Sequence, residues 1–262
     1  MQSISILSRK CKVLFGIICL YNLSGAIAQQ NNKLKKSDSI LVEKLIHKLN
    51  LELIGDNLTK KQKKNAGLVD SLLNEYKEHY NNGNVMYSPD KSFKIVVIDG
   101  DGVGGTVYNL YTSFIYFPKK SIRIPDSAQF FPVIRIYQLN NHNYLVLHAG
   151  LTGSGNYLYN NFSATLFAIK NNQLIYSSIN YGASSISPLK GTISITQNQF
   201  IMDGDEKANR LFNLVYNAKS KNLSYSYISQ PSETQKPILH TGSFVYSHGT
   251  LIFQKETKRK MK

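Results

Sequence analysis

The feature that most constrains this chain is a series of short apolar runs between residues 85 and 254, each closed by Asn, Gly or Ser. Lys94–Ile98, Val107–Phe117, Val133–Leu139, Tyr144–His148, Thr165–Ile169 and Leu223–Ile228 are examples. They are rich in Ile, Val, Phe, Tyr and Thr, whose side chains suit a pleated, half-buried surface. Hairpin-length links, Asn140–Asn143, Lys170–Gln173, Gln197–Gln199 and Ser247–Thr250, join several of them. In Leu223-Ser-Tyr225-Ser-Tyr227 large residues alternate with serines, so one face is dry and one wet. Parallel strands need crossover connections, usually helical, and no helical interval separates these runs. The expectation is a mainly β fold: an antiparallel barrel, a sandwich or propeller-like sheets.

Residues 29–84 read differently. Behind candidate caps at Ser37 and Asp38, the apolar residues Leu41, Val42, Leu45, Ile46, Leu49 and Leu53 recur at helical spacing. Gly55-Asp56-Asn57 breaks the pattern, and Thr59 with Gln62 has the spacing of a capping box. Leu68, Val69, Leu72, Leu73, Tyr76 and Tyr80 form a second stripe that Asn81–Asn84 closes. The expectation is an N-terminal helical hairpin whose apolar stripes need cover. The cover is either the β region of the same chain or a protein partner docked on the helices.

Residues 1–28 have the layout of a secretory signal peptide. Arg9, Lys10 and Lys12 precede the apolar Val13–Tyr21, and Ala26 and Ala28 supply small residues before Gln29. Cleavage there makes the protein secreted, periplasmic or extracellular. Both cysteines, Cys11 and Cys19, lie in this segment. The processed chain then has no disulfide, cysteine metal site or cysteine nucleophile. No other uncharged stretch is long enough for a membrane span.

The chain carries 31 Lys+Arg against 16 Asp+Glu, a net +15. The surplus concentrates on residues 29–64 and on Lys255–Lys262, which read as a frayed basic tail. Such a balance suits an anionic envelope polymer. Only Arg9, Arg123, Arg135 and Arg210 are arginines, and specific phosphate and base readout favours arginine forks. With secretion, this argues against a nucleic-acid partner.

Two glycine-rich segments stand out. Asp99-Gly-Asp101-Gly-Val-Gly-Gly-Thr106 lies between strands, where a phosphate loop would open a helix. An EF-hand needs an oxygen ligand at its fifth position and Glu at its twelfth, and those positions hold Val103 and Leu110. A looser Ca²⁺ site on Asp99 and Asp101 is the remaining metal option, and no other cofactor is implied. In the second segment, His148-Ala-Gly-Leu-Thr-Gly-Ser154-Gly-Asn156, Thr152 and Asn156 stand where a nucleophile elbow needs glycines two residues before and after the serine. Converging at one end of the sheets, these two loops would place Asp99, Asp101, His148, Ser154 and Asn156 around one ligand pocket.

The leading expectation is a non-enzymatic binding or envelope-associated module with no catalytic residue assigned. Its rival is a glycan-directed hydrolase with Asp99, Asp101 and His148 as acid/base groups. The third reading is protein docking through the helices.

One segment carries a resemblance. Tyr87-Ser-Pro-Asp90-Lys-Ser-Phe93-Lys-Ile-Val resembles the Ser-Pro-Asp-Gly turn-and-strand unit of TolB-like propeller blades, with Lys91 at the usual Gly. With the helical N-terminus, the Asp-Gly-rich loop and the β-rich remainder, the chain resembles uncharacterised secreted β-rich proteins of Bacteroidota. That resemblance implies propeller-like sheets and carries over no chemistry.

Overall fold

The computed structural model describes residues 34–57, 80–100, 110–124, 129–154, 157–186, 191–198, 211–229 and 236–261. The expected signal peptide and the second helix of the hairpin lie outside them, as do Asp101 and Asn156. The chain divides into Met1–Ser39 and Ile40–Lys262, and the packing below belongs to the second unit.

One described helix, α1 (Lys36–Asn57), precedes three separate sheets. The first is the meander β1 (Tyr80–Tyr87), β2 (Lys94–Gly100), β3 (Leu110–Phe117) and β4 (Lys120–Arg123). The second has the order β10 (Thr192–Asn198), β7 (Tyr157–Lys170), β6 (Asn143–Ser154), β5 (Val133–Gln138), with β8 (Gln173–Tyr176) also on β7. The third runs β11 (Asn213–Asn217), β12 (Asn222–Ser229), β13 (Ile238–Ser247), β14 (Thr250–Lys260), β9 (Ile179–Asn180). Every pairing among the described residues is antiparallel except the short contact of β9 with β14. The mainly β expectation holds. The closed-barrel option does not, because the strands divide among three sheets.

The two-residue period of a strand explains the layering. On α1, Val42, Leu45 and Leu49 lie on one face and pack on Val96, Ile98 and Phe114 of the first sheet. From the opposite face of that sheet, Ile95, Val97, Ile115 and Phe117 meet Val133, Ile136, Tyr144, Val146 and Phe167 of the second. Alternate residues of the second sheet, Leu145, Leu147, Ala164, Leu166, Ile193 and Ile195, turn to the third. There they meet Leu214, Tyr216, Leu223, Tyr225, Phe244, Tyr246 and Leu251. Each large apolar side chain so buried contributes about 1.5–3 kcal/mol. The helix therefore covers a face of the β region, the first of the two options its stripe left open.

Several local structures differ from the sequence reading. Gly55-Asp56-Asn57, read as a break, forms the last residues of α1. Asn81–Asn84 is not a terminator but part of strand β1. Gly83 is there because α1 comes close: a Cβ at this position would lie 2.5 Å from Val42 Cγ1. The segment His148–Ser154 is not a loop, since β6 pairs with β7 from Asn143 through Ser154. Nor is Lys255–Lys260 frayed. Past a bulge at Ser243/Phe244, β14 stays paired with β13 as far as Lys260.

The Ser-Pro-Asp turn ties two layers together. The Phe93 amide donates to Ser88 Oγ (3.2 Å) and the Ser88 amide to the Phe93 carbonyl (3.0 Å). Asp90 Oδ1 accepts from the Ser92 hydroxyl at 2.9 Å, and Oδ2 accepts from Tyr144 of the second sheet at 2.6 Å. Burial alone would raise the Asp90 pKa, but hydrogen bonds led by Tyr144 hold it below the usual carboxylate value. Lys91 sits at φ 59°, the left-handed region that explains glycine at this position of the motif.

Candidate functional site

Of the expected pocket residues, Asp99, His148 and Ser154 lie among the described residues, and Asp101 and Asn156 lie outside them. Asp99 lies on β2 in register with Asn82 and Tyr111. His148 lies on β6 of the second sheet and is 2% exposed. The Phe131 amide donates to its Nδ1 at 3.0 Å, so Nε2 carries the ring proton and donates to Thr165 Oγ1 at 2.9 Å. That hydroxyl passes the chain on to Thr192 Oγ1 at 2.8 Å. Burial lowers the His148 pKa to about 3. With both nitrogens engaged, the ring's visible role is to bind the segment before β5 to β6 and β7. The two regions do approach one another through Tyr111, the register partner of Asp99. Its ring meets Phe131 edge-on at 5.2 Å, and its hydroxyl lies 2.9 Å from where a Gly150 Cβ would be. The backbone of Ser154 closes the β6–β7 ladder against Tyr157. Among the described residues no group of three His, Cys, Asp or Glu is placed to hold a metal ion. No described helix is long and apolar enough to cross a membrane.

A polar cluster that the sequence reading missed lies on the third sheet. Pairing puts Tyr225, Gly242 and Glu256 in one row across β12, β13 and β14. The next row holds Tyr227, His240 and Lys258. Gly242 leaves a gap between its neighbours, and the Tyr225 ring fills it; a Cβ there would lie 2.3 Å from the Tyr225 hydroxyl oxygen. That hydroxyl donates to Glu256 Oε2 at 2.6 Å. Ser185, in the segment after β9, adds its hydroxyl at 2.7 Å and its amide at 3.2 Å to the same oxygen. Glu256 Oε1 is 3.4 Å from His240 Nδ1 and 3.5 Å from Lys258 Nζ. His240 stacks on Tyr227 with centroids 4.5 Å apart, and its Nε2 is 2.7 Å from Ser229 Oγ.

The Glu256 side chain is only 5% exposed. Burial opposes its charge, but the hydrogen bonds from Tyr225, Ser185 and His240 win and bring its pKa to about 2. Burial, with the Glu256 bond second, drives the Tyr225 hydroxyl pKa well up. A buried carboxylate with this many donors is an electrostatic anchor: it clamps the Ser184–Ser185 segment onto the sheet.

The same strand carries the basic surface. Lys255, Lys258, Arg259 and Lys260 are all exposed on β14. β9 pairs with the outer edge of β14 only at Leu251 and Ile252, and among the described residues no other strand covers that edge. Lysines on an open edge also deter sheet-to-sheet aggregation. The sequence signal was the charge itself, five basic residues in the last eight; what it hid was the strand beneath. Comparison with family models, curated proteins and solved structures gives no match.

Proposed function

We propose that this protein is a secreted, non-enzymatic module that binds an anionic polymer of the cell envelope through the basic half of β14. One observation carries the reading: Lys255, Lys258, Arg259 and Lys260 are exposed on one paired strand, while Glu256, the acid among them, is engaged by Tyr225, Ser185 and His240 and pairs with Lys258 alone of the four, so Lys255, Arg259 and Lys260 carry the surplus charge. Fixed cations spaced along a strand suit a repeating anion better than a frayed tail would, because less conformational entropy is lost on binding. The layout of residues 1–28 supports secretion, and the three stacked meanders support a blade-like scaffold of the kind the Ser-Pro-Asp turn suggests. The test is binding of an acidic polysaccharide to the wild type and to a variant with Lys255, Lys258, Arg259 and Lys260 all changed to Gln. The expected result is salt-sensitive binding by the wild type that falls at least tenfold in the variant. Equal binding by both proteins overturns the reading.

A hydrolytic second reading has one observation in its favour, at residues other than Asp99, Asp101 and His148. Ser229, His240 and Glu256 stand in the order of a nucleophile, base and orienting acid. Against it, the Glu256 contact is long at 3.4 Å, and Ser185 Oγ sits at the same distance from His240 Nδ1. Labelling of Ser229 by a fluorophosphonate probe, lost in His240→Ala, decides in its favour; an unlabelled serine removes it.

A further inference from the structure

Four β-turns gather at one end of the stacked sheets and wall two adjoining cavities of about 420 and 520 Å³ that share Asn140 and Asn143. This end is separate from the basic half of β14. The first cavity is lined by Lys221, His248, Asn140, Asn143, Tyr246 and Ser247, over Leu139. The second adds His142 and Lys170. Among the described residues no carboxylate lines either one. The wall is fixed: the Asn140 amide donates to Tyr246 Oη at 3.1 Å, and its Oδ1 accepts from the His142 and Asn143 amides at 3.0 and 2.8 Å.

The backbone adds an independent observation. Lys221 (φ 54°) and His248 (φ 49°) are both left-handed. Glycine or asparagine adopts that conformation at less cost. Both strained positions carry cation-forming side chains, and both line the same cavity. The turns impose this conformation, as they do at Asn171 and Asn172, and in doing so they bring Lys221 and His248 to the wall of one cavity.

We propose that the two cavities are adjoining subsites for an acidic oligosaccharide, each taking one uronic-acid-type unit. Lys221 with His248, and Lys170 with His142, would meet the carboxylates. Amide side chains and the Tyr246 and Ser247 hydroxyls both donate and accept, as sugar hydroxyls require. Among the described residues no arginine lines either cavity, which disfavours a phosphate, since bidentate forks are the usual phosphate clamp. Both are wide open to solvent, a form that suits an extended oligomer lying across the surface. The proposal rests on the anionic-polymer reading only for the class of ligand; its residues are different ones.

The test titrates the full chain with trigalacturonic acid, with a neutral galactose trimer and with inorganic phosphate. Saturable one-to-one binding of the acidic trimer is expected, at least tenfold tighter than the neutral one. The double variant Lys221→Gly, His248→Asn removes the ammonium and the imidazole while easing the backbone. It should melt at the same or a higher temperature yet bind the trimer at least tenfold more weakly. Phosphate binding as tight as the trimer's, undiminished trimer binding by the double variant, or no trimer binding at all overturns the proposal. The Gln variant of β14 separates the two ideas. Trimer binding that survives in it supports these subsites. A wild type that binds the polymer through β14 but not the trimer sinks the subsites and leaves the other reading standing.

Discussion

The Tyr225 hydroxyl reaches Glu256 Oε2 over 2.6 Å by crossing the space that Gly242 leaves empty between them. The contact joins two non-adjacent strands and supplies one of the donors that keep a 5%-exposed carboxylate ionised. Gly242→Ala puts a methyl 2.3 Å from that oxygen and should destabilise by about 1–3 kcal/mol, the range for overpacking. Tyr225→Phe keeps the ring but strips a donor from Glu256, at about 1–3 kcal/mol. Urea melts check both, and a Gly242→Ala protein as stable as wild type would contradict the packing described.

Acid should weaken the protein in two windows. The folded-state pKa of His148 lies at about 3, below the ordinary 6.5, so the unfolded chain binds the extra proton between those values. Stability then falls as pH drops through that range, by at most about 1.4 kcal/mol per pH unit. Glu256 acts in the same direction lower down. Its stabilising charge is present above its ordinary 4.5 and is lost as pH falls toward about 2. His148→Gln should flatten the upper window alone, checked by denaturant midpoints at pH about 7.5, 5.5 and 4.

The left-handed Lys91 costs strain that glycine avoids. Lys91→Gly should gain up to about 1 kcal/mol, with part of the gain offset by the greater freedom of glycine in the unfolded chain. Asp90→Ala should cost about 1–2 kcal/mol, since Tyr144 and Ser92 lose their acceptor. A thermal melt of each variant suffices.

Gly83 and Val42 form a pair that a double-mutant cycle can read. Gly83→Ala presses a methyl into Val42 Cγ1 at 2.5 Å and should cost about 1–3 kcal/mol. Val42→Ala opens that space, so the double variant should lose less than the two single costs combined. Additive losses would mean that α1 does not rest on β1 as described.

What was legible in the sequence was whatever depends on neighbours in the chain. Alternating and apolar runs gave β5 to within a residue and the start of β2 without error, because each strand's two faces meet different cores. The α1 stripe was equally plain. Composition misled where tertiary contact overrides it. Asn-Asn-Gly-Asn reads as a turn, yet it is a strand thinned for a helix to approach. The glycines after His148 read as a loop, yet the β6–β7 ribbon runs through them. The Glu256 cluster was out of reach: Ser185 lies 71 residues from Glu256, and the His240–Glu256 relation depends on a register that shifts at the bulge. Only the Tyr225 and Tyr227 alternation hinted at it.

The central claim is that β14 displays a fixed cationic surface for a polyanion. Its most direct measurement is the affinity of the full chain for an acidic polysaccharide over a series of salt concentrations. The account predicts binding at low salt that weakens steadily as salt rises, as screening of exposed charges requires, and a shallower dependence in the variant with Lys255, Lys258, Arg259 and Lys260 replaced by Gln. Binding that is absent at low salt, or whose salt dependence is the same in both proteins, would contradict it.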